Sequence, residues 1–495
     1  MPLPRKVLIA NRGEIAVRVI RGCHELDIRT VAVFSEADRN ALHVRQAYQA
    51  VCIGPAPSAQ SYLQAERIIE VALQTGADAI HPGYGFLSEN ARFAQMVLDA
   101  GLIWVGPPPF SIEAMGSKTE SRRRMQEAGV PVVPGTTARI DDPAELSRVA
   151  AEIGYPVMLK ASAGGGGKGM REVASPDQLH SAFAAARSEA LSSFGDDAVY
   201  IEKRVVNPRH VEVQVLADAH GTTVHLFERD CSIQRRNQKV VEETPCPVLP
   251  EATRQAMTAV AVQAAQAVGY VGAGTIEFLY DPANDSFYFL EMNTRLQVEH
   301  PITEAITGID LVQAQLRIAG GEPLWFSQQD LVMRGHAIEC RVYAEDAGDN
   351  WSPSPGLVTG YREPGGPWVR VDTGVYQGAT VPIYYDPMVA KLVVWGQDRD
   401  DCIRRTRRAL LEYRVRGIRT SIPFFRSLMN DPDFLAGQYH TGFLSPQRMA
   451  DLTAAARNDQ LATVAAAIAS LERDHQLTRQ DADPASTDRW RWSFR

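Results

Sequence analysis

Glu277 and Glu291 are the first pair in this sequence whose type and spacing point to chemistry. The runs Thr275 to Tyr280 and Phe287 to Met292 have strand character and are joined by a turn-rich loop, Asp281 to Ser286. Folded as a hairpin about that loop, the two acids face each other on one side. Like charges directly opposite destabilise a strand pair, so a cation between them would make sense of the arrangement. Asn293, two residues on, adds an amide oxygen on the same side. Two carboxylates and an amide oxygen are the donors that hold Mg²⁺ against nucleotide phosphates. Plain solvent exposure of both acids is the competing reading.

The next stretch, Thr294-Arg295-Leu296-Gln297-Val298-Glu299-His300-Pro301, brings together a guanidinium, an amide and a carboxylate. Arginine matches two oxygens of a planar oxyanion at once, and a carboxylate within reach can remove a proton from it. Upstream, Gly164, Gly165, Gly166 and Gly167 precede Lys168 and Gly169. Consecutive glycines let backbone N–H groups approach a polyphosphate, and Lys168 adds charge. The spacing fails the Walker A pattern, with Ser162 and Gly169 at its first and last positions. An ordinary hairpin loop is the alternative. Lys160 ends the preceding strand-like run. Arg229 to Lys239 holds four basic residues, read either as a solvated face or as part of the same site.

The elements that must position these residues change character along the chain. Val7 to Ala10, Thr30 to Phe34, Ala79-Ile80 and Ile103 to Val105 read as strands, with helices over Glu14 to Leu26 and around Tyr62 to Leu73. That alternation predicts an α/β layer with a parallel sheet, whose ligands sit at the carboxyl ends of the strands. The turn Asn11-Arg12-Gly13-Glu14 lacks the glycines of a dinucleotide fingerprint, so NAD is not expected. A charged helix over Lys118 to Glu127 opens a mixed α+β region. From Gly335 onward strands and Pro-Gly turns dominate, with an amphipathic helix from Cys402 to Arg414. The expected divisions are 1–115, 116–330, 335–447 and a helical and polar tail over 448–495.

At 495 residues the chain has room for about three domains. Its 45% hydrophobic and 22% charged residues suit a packed globular protein. Lys and Arg total 51 against 59 Asp and Glu, a balance that argues against nucleic acid as a partner. The six cysteines form no C-x-x-C pair, so neither zinc nor a dithiol site is expected. No signal-peptide pattern or run of membrane-spanning length is present, and a soluble cytoplasmic protein is expected.

Taken in order, these motifs resemble the biotin carboxylase family of the ATP-grasp superfamily. The resemblance is carried by Ala10 to Ala16, His81 to Asn90, the glycine run, Glu291 to Pro301, Gly335 to Arg341 and Tyr384-Tyr385-Asp386, and spans about Lys6 to Leu444. It implies an N-terminal Rossmann-like domain, a central ATP-grasp domain with a mobile lid over 131–204, and a mostly-β C-terminal domain. It implies ATP, Mg²⁺ or Mn²⁺, and biotin carried on a separate protein. Lys118, Lys160, Gly166, Gly167, Glu202, Lys203, Val205, His210 and Asn237 would bind ATP; Glu277, Glu291 and Asn293 would hold the metal. Lys239, Arg295, Gln297 and Val298 would bind bicarbonate, with Glu299 as base. Arg341 would stabilise the biotin enolate, and Tyr84 would wall the biotin pocket. Lys239, Arg295, Glu299 and Arg341 are the catalytic set.

Asn237 stands where many members carry His, which puts that nucleotide contact in doubt. Ser117 stands where some have Asp. The resemblance further implies a biotin carboxyl carrier protein and carboxyltransferase subunits as partners, a homodimer, and acetyl-CoA carboxylase as the commonest setting. No Met-Lys-Met biotinyl motif occurs, so the carrier is expected on another chain. Two alternatives are another ATP-grasp ligase joining a carboxylate to an amine or thiol, and a catalytically silent nucleotide-binding subunit.

Overall fold

The computed structural model describes residues 3–136, 139–161, 170–194, 196–456 and 468–470. Five strands, β1 (Lys6–Ile9), β2 (Arg29–Ser35), β3 (Gln49–Gly54), β4 (Ala79–His81) and β5 (Ile103–Trp104), form a parallel sheet ordered β3-β2-β1-β4-β5. The helix Gly13–His24 follows β1, starting and ending close to the apolar run that predicts it. Sequence patterning misses β3, whose residues are mostly half-buried and alternate weakly.

The strand order reverses between β1 and β4, which makes a crevice at their carboxyl ends. The loops after these strands are tied there by Asn11, whose Nδ2 donates to the Pro82 and Tyr84 carbonyls at 2.7 and 2.8 Å. Gly83 has φ +64°, and a Cβ on it would lie 2.9 Å from Asn11 Nδ2. Only glycine allows that approach.

A three-stranded antiparallel sheet follows, with β6 (Val157–Ala161) between β7 (Met170–Val173) and β8 (Val199–Lys203). It has its own core, in which Leu146, Leu159, Phe183 and Ile201 meet. The glycine run, including Gly166 and Gly167, falls between β6 and β7 and lies outside the described residues.

The largest element is an eight-stranded sheet. Its strands run in the order β13 (Ser286–Asn293), β12 (Gly272–Asp281), β9 (Arg209–Ala217), β10 (Thr223–Arg235), β11 (Gln238–Thr244), β14 (His336–Tyr343), then Met388–Gly396 and Val369–Thr373. The sheet therefore runs through residue 330 and on into the C-terminal third. One face is apolar: Val211, Val213, Ile276 and Phe278 pack with the helix Glu251–Ala267, and Val241, Cys340 and Leu392 with the helix Arg399–Glu412. The other face carries Glu212, Arg229, Glu242, Glu339, Arg341 and Lys391, all buried, beneath the helix His300–Thr307. Charge beneath a helix has to be paired or suppressed, since burying an isolated ion is costly; Glu339, with no hydrogen-bond partner, is pushed by burial well above the usual carboxylate range.

Among the described residues no helix is long and apolar enough to cross a membrane. The six cysteines are unpaired, and all but Cys52 are buried.

Candidate active site

The polar face of the large sheet opens into a cavity of about 600 Å³. Its lining includes Lys160, Glu202, Lys203, Val205, His210, Asn237, Lys239, Glu277, Glu291, Asn293, Arg295, Gln297, Val298 and Arg341. Side chains from β6, β8, β9, β11, β12, β13 and β14 thus converge on one space.

Local geometry explains how the hairpins aim them. β12 and β13 pair with Glu277 directly opposite Glu291, and the register then shifts so that Phe278 faces Phe289. Glu277 is buried and Glu291 exposed. Glu277 accepts from Lys239 Nζ at 2.8 Å and Asn293 Nδ2 at 2.9 Å on one oxygen, and His210 Nε2 lies 2.9 Å from the other. The carboxylates of Glu277 and Glu291 and the amide oxygen of Asn293 are hard donors on one cavity wall, a set that suits Mg²⁺.

The basic run Arg229 to Lys239 forms part of a second hairpin. Arg236 and Asn237 both have positive φ, 50° and 65°, and close a two-residue loop between the paired Arg235 and Gln238. Lys239 and Glu242 are three residues apart, a spacing that sends side chains to opposite faces of a regular strand. An irregularity between the pairs Gln234–Lys239 and Ile233–Val241 shifts the alternation, and both side chains reach the polar face. Lys239 Nζ donates to Glu212, Glu277 and Glu299 at 2.5, 2.8 and 2.7 Å.

Glu299 is wholly buried at the start of the helix His300–Thr307. One oxygen takes Lys239 and the other takes Arg341 at 2.9 Å. Burial pushes its pKa up, but Lys239, Arg341 and Arg229 outweigh burial and hold it well below the usual carboxylate range. Arg341 is anchored from behind by Glu242 at 2.6 Å. Burial pushes Glu242 up to about 7 despite Arg341, with the Glu299 charge adding to the rise. Lys239 runs the other way: burial lowers its pKa, and Glu212, Glu277 and Glu299 together raise it well above the ordinary value.

Arg295 is held by Glu89, Asn293 and Gln297 at 2.9, 3.0 and 3.1 Å. Lys160 and Arg122 share Glu202, at 2.5 and 2.6 Å. Lys203 donates to the Gly154 and Tyr155 carbonyls at 2.9 and 3.1 Å. Tyr84 stands apart from this cavity, in the crevice of the parallel sheet, where its hydroxyl donates to Glu14. Lys118 begins the helix Lys118–Glu127.

Sequence reasoning does not single out Glu212, Glu242, Glu89 or Arg122. Glu212 lies in Arg209-His210-Val211-Glu212-Val213-Gln214-Val215, whose alternation reads as an ordinary solvent-facing strand. The sheet instead buries both faces of it.

Three family models match the chain. "Biotin carboxylase, N-terminal domain" matches residues 4–112, "Carbamoyl-phosphate synthase L chain, ATP binding domain" 117–326, and "Biotin carboxylase C-terminal domain" 339–446. The chain is 54% identical over 444 residues to a pyruvate carboxylase subunit of Methanothermobacter thermautotrophicus, covering 90% of each. It is 53% identical over 439 residues to a biotin carboxylase of Nostoc sp., covering 89% of this chain and 98% of that one. The biotin carboxylase domain of Hydrogenobacter thermophilus 2-oxoglutarate carboxylase, solved as a dimer with MgADP, ADP and bicarbonate, superposes with a TM-score of 0.83 at 46% identity. That match covers 92% of this chain and 99% of the other.

The fold and the family models together define a ligase of the ATP-grasp type. The chain belongs to the biotin carboxylase family. Its activity is the ATP-dependent carboxylation of biotin.

Proposed function

We propose that bicarbonate and ATP react in the large cavity to form carboxyphosphate, which carboxylates biotin on a separate carrier. The observation that supports this most is the double hold on Glu299 by Lys239 and Arg341. An incoming oxyanion competes for those same cations. As they turn to it, and as its own negative charge arrives, the proton affinity of Glu299 rises. Glu299 then takes the bicarbonate proton, and the carbonate oxygen attacks the γ-phosphate of ATP, forming carboxyphosphate as the bond to the bridging oxygen breaks and ADP leaves. Arg295, Gln297, Val298 and Lys239 hold the oxyanion.

Lys118, Lys160, Gly166, Gly167, Glu202, Lys203, Val205, His210 and Asn237 hold the nucleotide. Glu277, Glu291 and Asn293 hold Mg²⁺, which when bound supplies positive charge at the phosphates. Arg341 steadies the charge that develops on the ureido ring when phosphate, released with CO₂ from carboxyphosphate, removes its proton. Tyr84 walls the biotin pocket. The functional divisions are 1–115, 116–330 with a lid over 131–204, 335–447 and the tail 448–495.

The enzyme works as a cytoplasmic homodimer with a biotin carboxyl carrier protein and carboxyltransferase subunits. The relative from Hydrogenobacter thermophilus, solved as a dimer with bicarbonate, supports that assembly and substrate. The final acceptor is an acyl-CoA, with acetyl-CoA first and a place in fatty acid biosynthesis. The pyruvate carboxylase relative from Methanothermobacter thermautotrophicus favours a second reading, in which the acceptor is pyruvate.

A bicarbonate-dependent ATPase assay with and without free biotin tests the site chemistry. ATP cleavage that ignores bicarbonate would refute it. Supplying carboxylated carrier and the co-purified transferase with acetyl-CoA or pyruvate then decides the acceptor.

A further inference from the structure

Lys391 sits inside the strand Met388–Gly396 with its side chain wholly buried. Its ammonium lies 2.8 Å from the Val298 carbonyl, against 3.3 Å from Glu14 and 3.9 Å from Asp372. The lysine donor is charged whichever acceptor it meets, and of these three the Val298 carbonyl is the closest. Asp372 is already held by Arg370 at 2.9 and 2.7 Å. Glu14 keeps one oxygen without a hydrogen bond, and burial lifts it to about 7 against the pull of Lys391.

The Val298 carbonyl belongs to the peptide unit that carries the Glu299 amide. That unit is planar, so fixing its oxygen fixes the plane from which Glu299 departs. The helix His300–Thr307 has no side-chain hydrogen bond at its cap residue, Glu299. The turn into it is closed locally by His300 Nδ1 on the Gln297 carbonyl at 2.7 Å, and Lys391 reaches across from the sheet to hold the next carbonyl, that of Val298, at 2.8 Å.

We infer that Lys391 is a positioning residue for the bicarbonate site, acting through the Val298 carbonyl on the turn that presents Val298 and Glu299. This rests on the bicarbonate assignment above. The test is the biotin-independent ATPase of Lys391→Met and of the double variant Lys391→Met/Glu14→Gln, with Arg295→Ala alongside. The double variant removes the buried acid together with its cation, which guards against a misfolded single variant.

The expected result is a bicarbonate KM raised about tenfold, the size of one lost hydrogen bond, with the KM for ATP unchanged. A folded variant with wild-type bicarbonate KM, while Arg295→Ala raises it, reduces Lys391 to a counter-ion and overturns the inference. An equal rise in both KM values overturns it too, as general distortion. An unchanged bicarbonate KM in Arg295→Ala overturns the site assignment, and the inference with it.

Discussion

Replacing Glu299 by glutamine removes one negative charge and keeps the shape of the side chain. Neither cation that Glu299 holds is orphaned, because Lys239 keeps Glu212 and Glu277, and Arg341 keeps Glu242. The variant should therefore fold and melt near the wild-type temperature. Loss of a positioned base costs about 10²–10⁴ in rate, or about 3–5 kcal/mol in the barrier at about 1.4 kcal/mol per decade. The assay is steady-state ATP cleavage at saturating bicarbonate, with nucleotide affinity measured separately and expected to be unchanged. Turnover within a few-fold of wild type, in a folded protein that binds nucleotide normally, would remove Glu299 from proton transfer.

Other expectations follow from the same contacts. Arg341→Ala should stop carboxybiotin accumulating while bicarbonate-dependent ATP cleavage falls much less, because Lys239 still holds Glu299; equal loss of both would assign Arg341 to the earlier step alone. Glu291→Gln should raise the Mg²⁺ concentration needed for half-maximal turnover by about tenfold, as one charged ligand oxygen is lost, and an unmoved Mg²⁺ titration would contradict the metal assignment. Glu304 is buried between Arg18 and Arg370, which outweigh burial and lower it from 4.5 to about 2. That difference corresponds to about 3 kcal/mol of stability, present above pH 4.5 and lost as the pH falls towards 2. Denaturant titrations of Glu304→Gln should accordingly show a deficit of that order at pH 7 that shrinks below pH 4; a constant deficit would deny Glu304 that role.

The pairing of Glu277 with Glu291 was legible before the fold was known. A short loop between two strand-like runs sets the register, and the register sets Glu277 against Glu291. What could not be read was the charge behind the cavity. Glu242 looks like part of an acidic edge in Glu242-Glu243, yet its partner Arg341 comes 99 residues later. The irregularity that brings Lys239 to the same face as Glu242 has no glycine or proline to announce it. Local pattern reports alternation, whereas burial of both faces depends on helices that arrive from distant sequence. The same limit hid the continuity of the large sheet, since nothing in Gly320-Gly321-Glu322-Pro323 tells that the chain will return to an existing edge.

That return has a consequence for how the chain is made. Thr244 on β11 waits for Ala337 on β14 as its ladder partner. At about 5–20 residues per second, the ribosome takes about 5–20 s to supply the intervening chain. Through that interval the nascent protein exposes a strand edge whose N–H and C=O groups can pair with any neighbour. A stop codon near residue 330 would make the exposure permanent, so truncated products should precipitate rather than persist as half an enzyme.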